Sequence, residues 1–399
     1  MQPALSLVLF LVLSQADHTL SFSQTLHMVN VLFRHGDRTA TGTLPAHGQS
    51  SRDSRGHLTK IGTKQNLNLG SYFQSRYHGF FSSIPSNEIK LESSPVPRCV
   101  QSAQALVDGL YLHYQTTERN FSESQLLPIY SRPHDDNMIS FARNCSLYTH
   151  LYTQRLNTVG KQIQTDNQDF INFISNKTGV DTNLKKIWMV ADTLSCWKAH
   201  NQSLPSWVNE SVLRKLQKLH DNKFDLMFGS PLMAKLKGGP ILKKIISNMN
   251  SVAIERQKPE TKLYFYSGHD ATVSALLNAL SVSNGLSPPY AASVILELHQ
   301  SLDQGYYVQV WYKNTTVDLL NYMQPPYQLT IPGCSKDCPY EKFVELTKDS
   351  LPGDWERECK SLHYSDNQHG NKRQCNALKP STHQREETDC YYTTKDFSK

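Results

Sequence analysis

Apolar positions along the chain gather into short runs, and each of the most informative runs ends in a polar cluster. Met28 to Phe33 is apolar and passes directly into Arg34-His35-Gly36-Asp37-Arg38-Thr39. Leu263 to Tyr266 is aromatic and apolar, and it passes into Ser267-Gly268-His269-Asp270. A helical stretch, Ala271 to Leu280, follows. Ile89 to Glu92 alternates as a strand does; a proline-rich turn with Arg98 comes next, then a helical stretch from Ser102 to Tyr114. Short apolar runs closed by turn residues predict buried strands. Val294 to His299 and Tyr306 to Tyr312, joined through Gly305, predict an antiparallel pair. Val212, Leu213, Leu216 and Leu219 recur at helical spacing, which is read as core packing.

Strand, loop and helix in that order predict an open α/β sheet, where ligands sit beyond the carboxyl ends of strands. Three such ends would bring together Arg34, His35, Arg38, Arg98, His269 and Asp270. Guanidinium forks match phosphate oxygens in a bidentate way. A histidine among them can act as nucleophile or as acid and base. Each run alone is equally consistent with a basic surface loop; their shared placement gives the reading its force.

Taken together, the chain resembles the histidine acid phosphatases of the prostatic and lysosomal type, over roughly residues 26–359. The resemblance is carried by Phe33 to Arg38, Leu58-Thr59 with Gly62 and Gln65, Leu69-Gly70 and Arg76-Tyr77. It continues through Asp192 to Cys196, His200-Asn201, Leu204 to Trp207, Gly238-Gly239, Ser267 to Asp270, Asn284 to Leu286 and Pro288 to Tyr290. It implies an α/β fold of the phosphoglycerate-mutase type: a mixed sheet flanked by helices, with a smaller helical cap inserted. Residues 24–122 and 233–360 would form the catalytic domain and 123–232 the cap. It also implies roles. His35 would attack phosphorus, Arg34, Arg38, Arg98 and His269 would hold the phosphate, and Asp270 would protonate the leaving alcohol. Substrates would be small-molecule or phosphopeptide monoesters, and a homodimer is common among such relatives. The pattern departs from the family at Ala40-Thr41, around Arg98 (Pro95, Pro97 and Cys99) and in the polar stretch Ser50 to Arg55. The alternatives within reach are a phytase-like phosphatase of the same family and a secreted phospholigand-binding protein without turnover.

Composition narrows the picture. With 399 residues, 38% hydrophobic, the chain can bury a large core. The net charge of +6 comes without a long Lys/Arg block. It is read as a solvated surface plus a cationic pocket, not as a nucleic-acid or lipid surface. No cysteine is followed six positions on by arginine, which argues against a cysteine-nucleophile phosphatase. The 16 histidines lack the i, i+4 spacing of helical metal sites. No cofactor is expected, and His27, His47, His57 and His134 are read as surface or packing residues.

Ala4 to Leu13, followed by Ser14-Gln15-Ala16, has the form of a signal peptide over 1–16. Secretion or a lysosome-like lumen fits the acceptors at Asn120, Asn144, Asn176, Asn201, Asn209 and Asn314, of which Asn144 precedes a cysteine. No later stretch is long enough for a membrane anchor. Eight cysteines then read as a disulfide framework. The resemblance implies Cys334 with Cys338 and Cys145 with Cys359. It leaves Cys196 free or paired with Cys99, because its usual partner position is Ser293. Cys375 and Cys390 can pair within 361–399, a polar segment read as a flexible tail. Export predicts a mature chain that begins within several residues after Ala16 and carries N-glycans. Mass spectrometry of native material that found an unprocessed, glycan-free chain would contradict this.

Overall fold

The computed structural model describes residues 25–47, 55–81, 87–117, 127–134, 136–141, 144–301, 305–314 and 323–360, with the side chains of 112–117 left out. The signal-peptide, tail, Asn120, Cys375 and Cys390 expectations lie outside these residues.

The strands are β1 (Leu26–Arg34), β2 (Ile89–Ser93), β3 (Ile129–Ser131), β4 (Leu263–Gly268), β5 (Ser293–Ser301), β6 (Gly305–Lys313), β7 (Tyr327–Leu329) and β8 (Cys338–Pro339). They form one sheet in the order β3-β2-β4-β1-β5-β6-β7, with β8 also paired to β6. β3, β2, β4 and β1 run parallel, and β5 onward is antiparallel. The sheet is therefore mixed, as the pattern predicts. The segment 123–232 supplies the edge strand β3 as well as helices.

β1 lies near the middle and is covered on both faces, which explains why Met28 to Phe33 is apolar apart from Asn30, whose Oδ1 accepts from Asn248 Nδ2. Met28 and Leu32 face one core, with Ile241, Ile245 and Leu276. Val29, Val31 and Phe33 face the other, with Leu69, Phe73 and Leu106. Each such fully buried side chain contributes about 1.5–3 kcal/mol relative to exposure.

Five helices matter to the site: α1 (Lys60–Arg76), α2 (Pro97–Thr117), α6 (Leu184–Ala199), α7 (Glu210–Phe228) and α9 (Asp270–Ala279). Between them lie α3 (Ser146–Arg155), α4 (Lys161–Asp166), α5 (Gln168–Thr178) and α8 (Pro231–Ala253). α1 and α2 cross at closest approach where a Cβ on Gly70 would meet the Leu106 carbonyl at 2.0 Å and one on Gly109 the Leu67 carbonyl at 1.9 Å. α2 starts earlier than the sequence pattern predicts. Pro97 takes the first helical position, where its missing N–H is harmless. Arg98 thus lies in a helical first turn, not in a turn before the helix.

Cys145 is bonded to Cys359 across 214 residues, and Cys334 to Cys338. Cys99 and Cys196 are both free and buried, so the alternative bridge between them does not form. The Cys145–Cys359 bridge closes a long loop around α3 and α8, in a cluster with Met233, Leu236 and Trp355. On chain entropy such a loop stabilises by about 5 kcal/mol. Cys145→Ala with Cys359→Ala should therefore lower the unfolding free energy by several kcal/mol in urea titration, and a loss below about 1 kcal/mol would reject that account.

Candidate active site

Three strand ends define the site. In the parallel ladder Arg34 stands opposite Gly268, and Ser93 opposite Ser267. Two further bonds extend it past the strands: the His35 N–H donates to Gly268 O and the Ser94 N–H to Ser267 O, both at 2.9 Å. Arg34, His35, Ser94 and His269 are thereby fixed at one edge by backbone alone.

The turn after β1 is held against the start of α1. A Cβ on Gly36 would meet the Gly62 carbonyl at 2.3 Å, and one on Gly62 would meet the Asp37 carbonyl at 2.1 Å. Both positions need glycine for this backbone contact. Asp37 N–H donates to Gln65 Oε1 at 2.7 Å. The Asp37 carboxylate is buried between Thr59 Oγ1 and His200 Nε2, the latter at 2.7 Å.

The His35 Nδ1 lies 2.8 Å from Gly36 O. A carbonyl only accepts, so Nδ1 bears the proton and Nε2 carries the lone pair. Burial first, then Arg34, His269, Arg98 and Arg38, hold the imidazole well below its ordinary pKa. It is neutral in mild acid.

The three guanidiniums are compensated unequally. Arg38 makes a two-pronged pair with Asp192 of α6, at 3.0 and 2.9 Å. Burial pushes the Asp192 carboxyl up, but Arg38 outweighs it and keeps the carboxyl below its usual range. Arg34 donates to Pro288 O at 2.6 Å, lies 3.5 Å from Asp270 and stacks 4.1 Å over the Tyr290 ring. Arg98 has no carboxylate partner among the described residues. Its Nη2 faces His269 Nδ1 at 3.4 Å, and its buried Nε is unpaired. Burial, followed by the neighbouring Arg38 and Arg34, lowers its pKa.

An arginine nitrogen only donates, so His269 Nδ1 accepts and its Nε2–H donates to Ser94 Oγ at 3.0 Å. Both ring nitrogens thus face protein groups. Asp270 opens α9. Burial raises its pKa, but Lys223, Arg34, His35 and His220 outweigh that and hold it well below the usual carboxylate range. The protein's own groups therefore favour the carboxylate. The proton-bound form expected from sequence requires the added charge of a phosphate dianion.

All six sequence-predicted residues converge here. Sequence reasoning gave no role to Asp192, Tyr290, Ser94, His200, His220 or Lys223. Asp192, Tyr290 and His200 lie in the runs that carry the resemblance, yet no local pattern pairs residues 154 positions apart. Burial pushes the Cys99 thiol up to about 12 and that of Cys196 up to about 11, so both remain protonated. The described residues contain no cluster of three or more His, Cys, Asp or Glu placed to hold a metal ion.

This fold and site place the chain in a class. The chain belongs to the histidine phosphatase superfamily, branch 2, whose family model matches residues 49–313. It is 35% identical over 376 residues to the lysosomal acid phosphatase of Xenopus laevis, covering 91% of this chain and 85% of that one. It is 32% identical over 365 residues to human prostatic acid phosphatase, covering 88% and 92%. Among solved structures, Hafnia alvei phytase in complex with tartrate matches with a TM-score of 0.65 at 18% identity, over 84% of this chain and 98% of that one. At that identity the likeness concerns the fold.

The buried imidazoles have a consequence for stability. His269 is lowered to about 3, chiefly by burial and then by Arg98, against about 6.5 in an unfolded chain. A depressed histidine means that the unfolded chain takes up the proton first as pH falls. Stability is then lost progressively from about pH 6.5 down to about pH 3, by roughly 2 kcal/mol at about pH 5. His269→Gln should reduce the slope of unfolding free energy against pH by about 1.4 kcal/mol per unit across about pH 5–6. An unchanged slope in urea titrations would mean that the folded imidazole is already protonated.

Proposed function

We propose that this chain is an acid phosphatase that hydrolyses phosphate monoesters through a phosphohistidine on His35, in an exported or lysosome-like setting. The observation that carries the reading is the His35 ring itself. Its Nδ1 proton is pinned to Gly36 O, so Nε2 is left as a neutral nucleophile beneath three guanidiniums.

The cations supply what phosphoryl transfer needs, preorganised positive charge around spreading negative charge. Arg98, without a carboxylate, has the most to gain from an anion. Arg38 is held in orientation by Asp192, and Arg34 by Pro288 O and Tyr290. His269 donates to phosphate by exchanging its Ser94 partner for a phosphate oxygen. His35 Nε2 forms the bond to phosphorus as the ester oxygen leaves. A substrate dianion draws Arg34 from Asp270 and repels the carboxylate, so Asp270 takes up a proton in mild acid. Asp270 then gives that proton to the departing alcohol. As a carboxylate it next accepts a proton from water attacking phosphorus, and His35 is released.

The relatives named lysosomal and prostatic acid phosphatase support both activity and setting. No described helix is long and apolar enough to cross a membrane. Asn176, Asn201 and Asn209 are exposed and open to glycans, Asn314 is half-buried, and the exposed Asn144 is the least suited acceptor because the disulfide-bonded Cys145 follows it. The cap reading of 123–232 fits Asp192 and His200 reaching the site from that segment.

Two variants separate the roles. His35→Ala should reduce turnover of every ester to background and leave no acid-labile phosphoenzyme. Asp270→Asn should lose about 10²–10⁴-fold on alkyl phosphates, far less on p-nitrophenyl phosphate, and still trap phosphate on His35. Activity should persist in chelator and be inhibited by tartrate. Equal losses on both esters with no phosphoenzyme would assign Asp270 a positioning role instead. Loss of turnover in chelator with recovery on added zinc or iron would overturn the metal-free reading.

A further inference from the structure

One pair of side chains near Asp270 has no part in the chemistry above. Helix α7 lays Phe224 and Phe228 in a cluster with Ala271 and Ala275, the first turns of α9 after Asp270. His220 meets the Phe224 ring edge-on at 5.9 Å, and Lys223 Nζ lies 5.1 Å from the same ring. Three residues apart, His220 and Lys223 share a face of α7. Asp221 Oδ1 accepts from Ser287 N–H at 3.0 Å, which ties α7 to the loop carrying Pro288 and Tyr290. So α7 forms a rim of the pocket. Both side chains are half-buried, and Lys223 has no carboxylate within ion-pairing distance among the described residues.

The leaving alcohol must lie against Asp270, since Asp270 gives it the proton. Phe224 packs on Ala271, the residue after Asp270, and so brings His220 and Lys223 of the same helix face to that carboxylate, which Lys223 helps to hold in its charged form. A cation on α7 beside the start of α9 is therefore placed on the side where that alcohol must lie. We propose that His220 and Lys223 form a second anion subsite, selecting phosphate monoesters whose alcohol bears a further carboxylate or phosphate. The inference rests on the phosphatase reading and narrows its substrate class. Lys223 supplies the charge, and His220 supplies a neutral donor, because burial and then Lys223 hold its pKa at about 4.

A simpler role for Lys223, adjusting Asp270 alone, would act on all esters alike. The test therefore reads a ratio. Glycerol 3-phosphate and 3-phosphoglycerate differ in a hydroxymethyl against a carboxylate, and 2,3-bisphosphoglycerate adds a second phosphate. The wild-type kcat/KM should favour at least one of the two acids over glycerol 3-phosphate by about tenfold or more, as expected for a charged hydrogen bond. Lys223→Gln should bring that ratio near unity, mainly through KM. His220→Gln should lower it in part, and Lys223→Arg should retain it. Partial misfolding cancels, because all esters are read on one preparation. A wild-type ratio near unity for both acids, or one unmoved by Lys223→Gln, overturns the subsite while turnover of glycerol 3-phosphate still upholds the phosphatase. If none of the three esters is turned over, both readings fall.

Discussion

The molecule is organised around a charge imbalance that the protein itself leaves unresolved. Three guanidiniums converge on one pocket, and among the described residues only Arg34 and Arg38 have a carboxylate beside them. A half-buried cation that lacks a carboxylate is costly. The surrounding groups show how the excess is tolerated. Asp192 takes Arg38 in a two-pronged grip, Tyr290 offers a ring face to Arg34, and His35 and His269 stay neutral. The imbalance also adds to burial in keeping His35 unprotonated, because a field that attracts an anion opposes a proton on the ring.

That arrangement needs several distant segments held in fixed relation. The parallel register of β1 and β4 aligns Arg34 with Gly268, so one ladder places both histidines. Gly36 against Gly62 anchors the turn to α1, and Asp37 is gripped by Thr59 on one side of the chain and by the distant His200 on the other. Asp192 lies midway along α6, and His200 caps its C-terminus. This helix therefore acts on the site through charge and hydrogen bonds.

The free thiols belong to the same economy of space. Cys99 Sγ lies 3.4 Å from Gly268 O and 3.6 Å from His269 Nε2. Cys196 Sγ lies 3.8 Å from Arg38 Nη1 and 3.6 Å from the Tyr290 hydroxyl. Each acts as a small buried side chain that lines a charged wall without adding a charge, since burial keeps it protonated.

Much of this was legible in the chain. Apolar runs ending in Arg34-His35 and in His269-Asp270 mark strand ends, because a buried strand must be apolar and its exit need not be. Those two features determined the sheet class and most of the residues that converge at the strand ends. The start of α2 was less legible, since Pro97 reads equally as a turn or as a first helical residue, and packing against α1 decided it. Tertiary structure alone decided which charges meet. The Arg38–Asp192 pair spans 154 residues, and Lys223 and His220 influence Asp270 through the packing of Phe224 on Ala271 and Ala275. The protonation of Asp270 follows the same rule. Its identity is written in sequence, but its charge state is a sum over neighbours whose distances exist only in the folded chain.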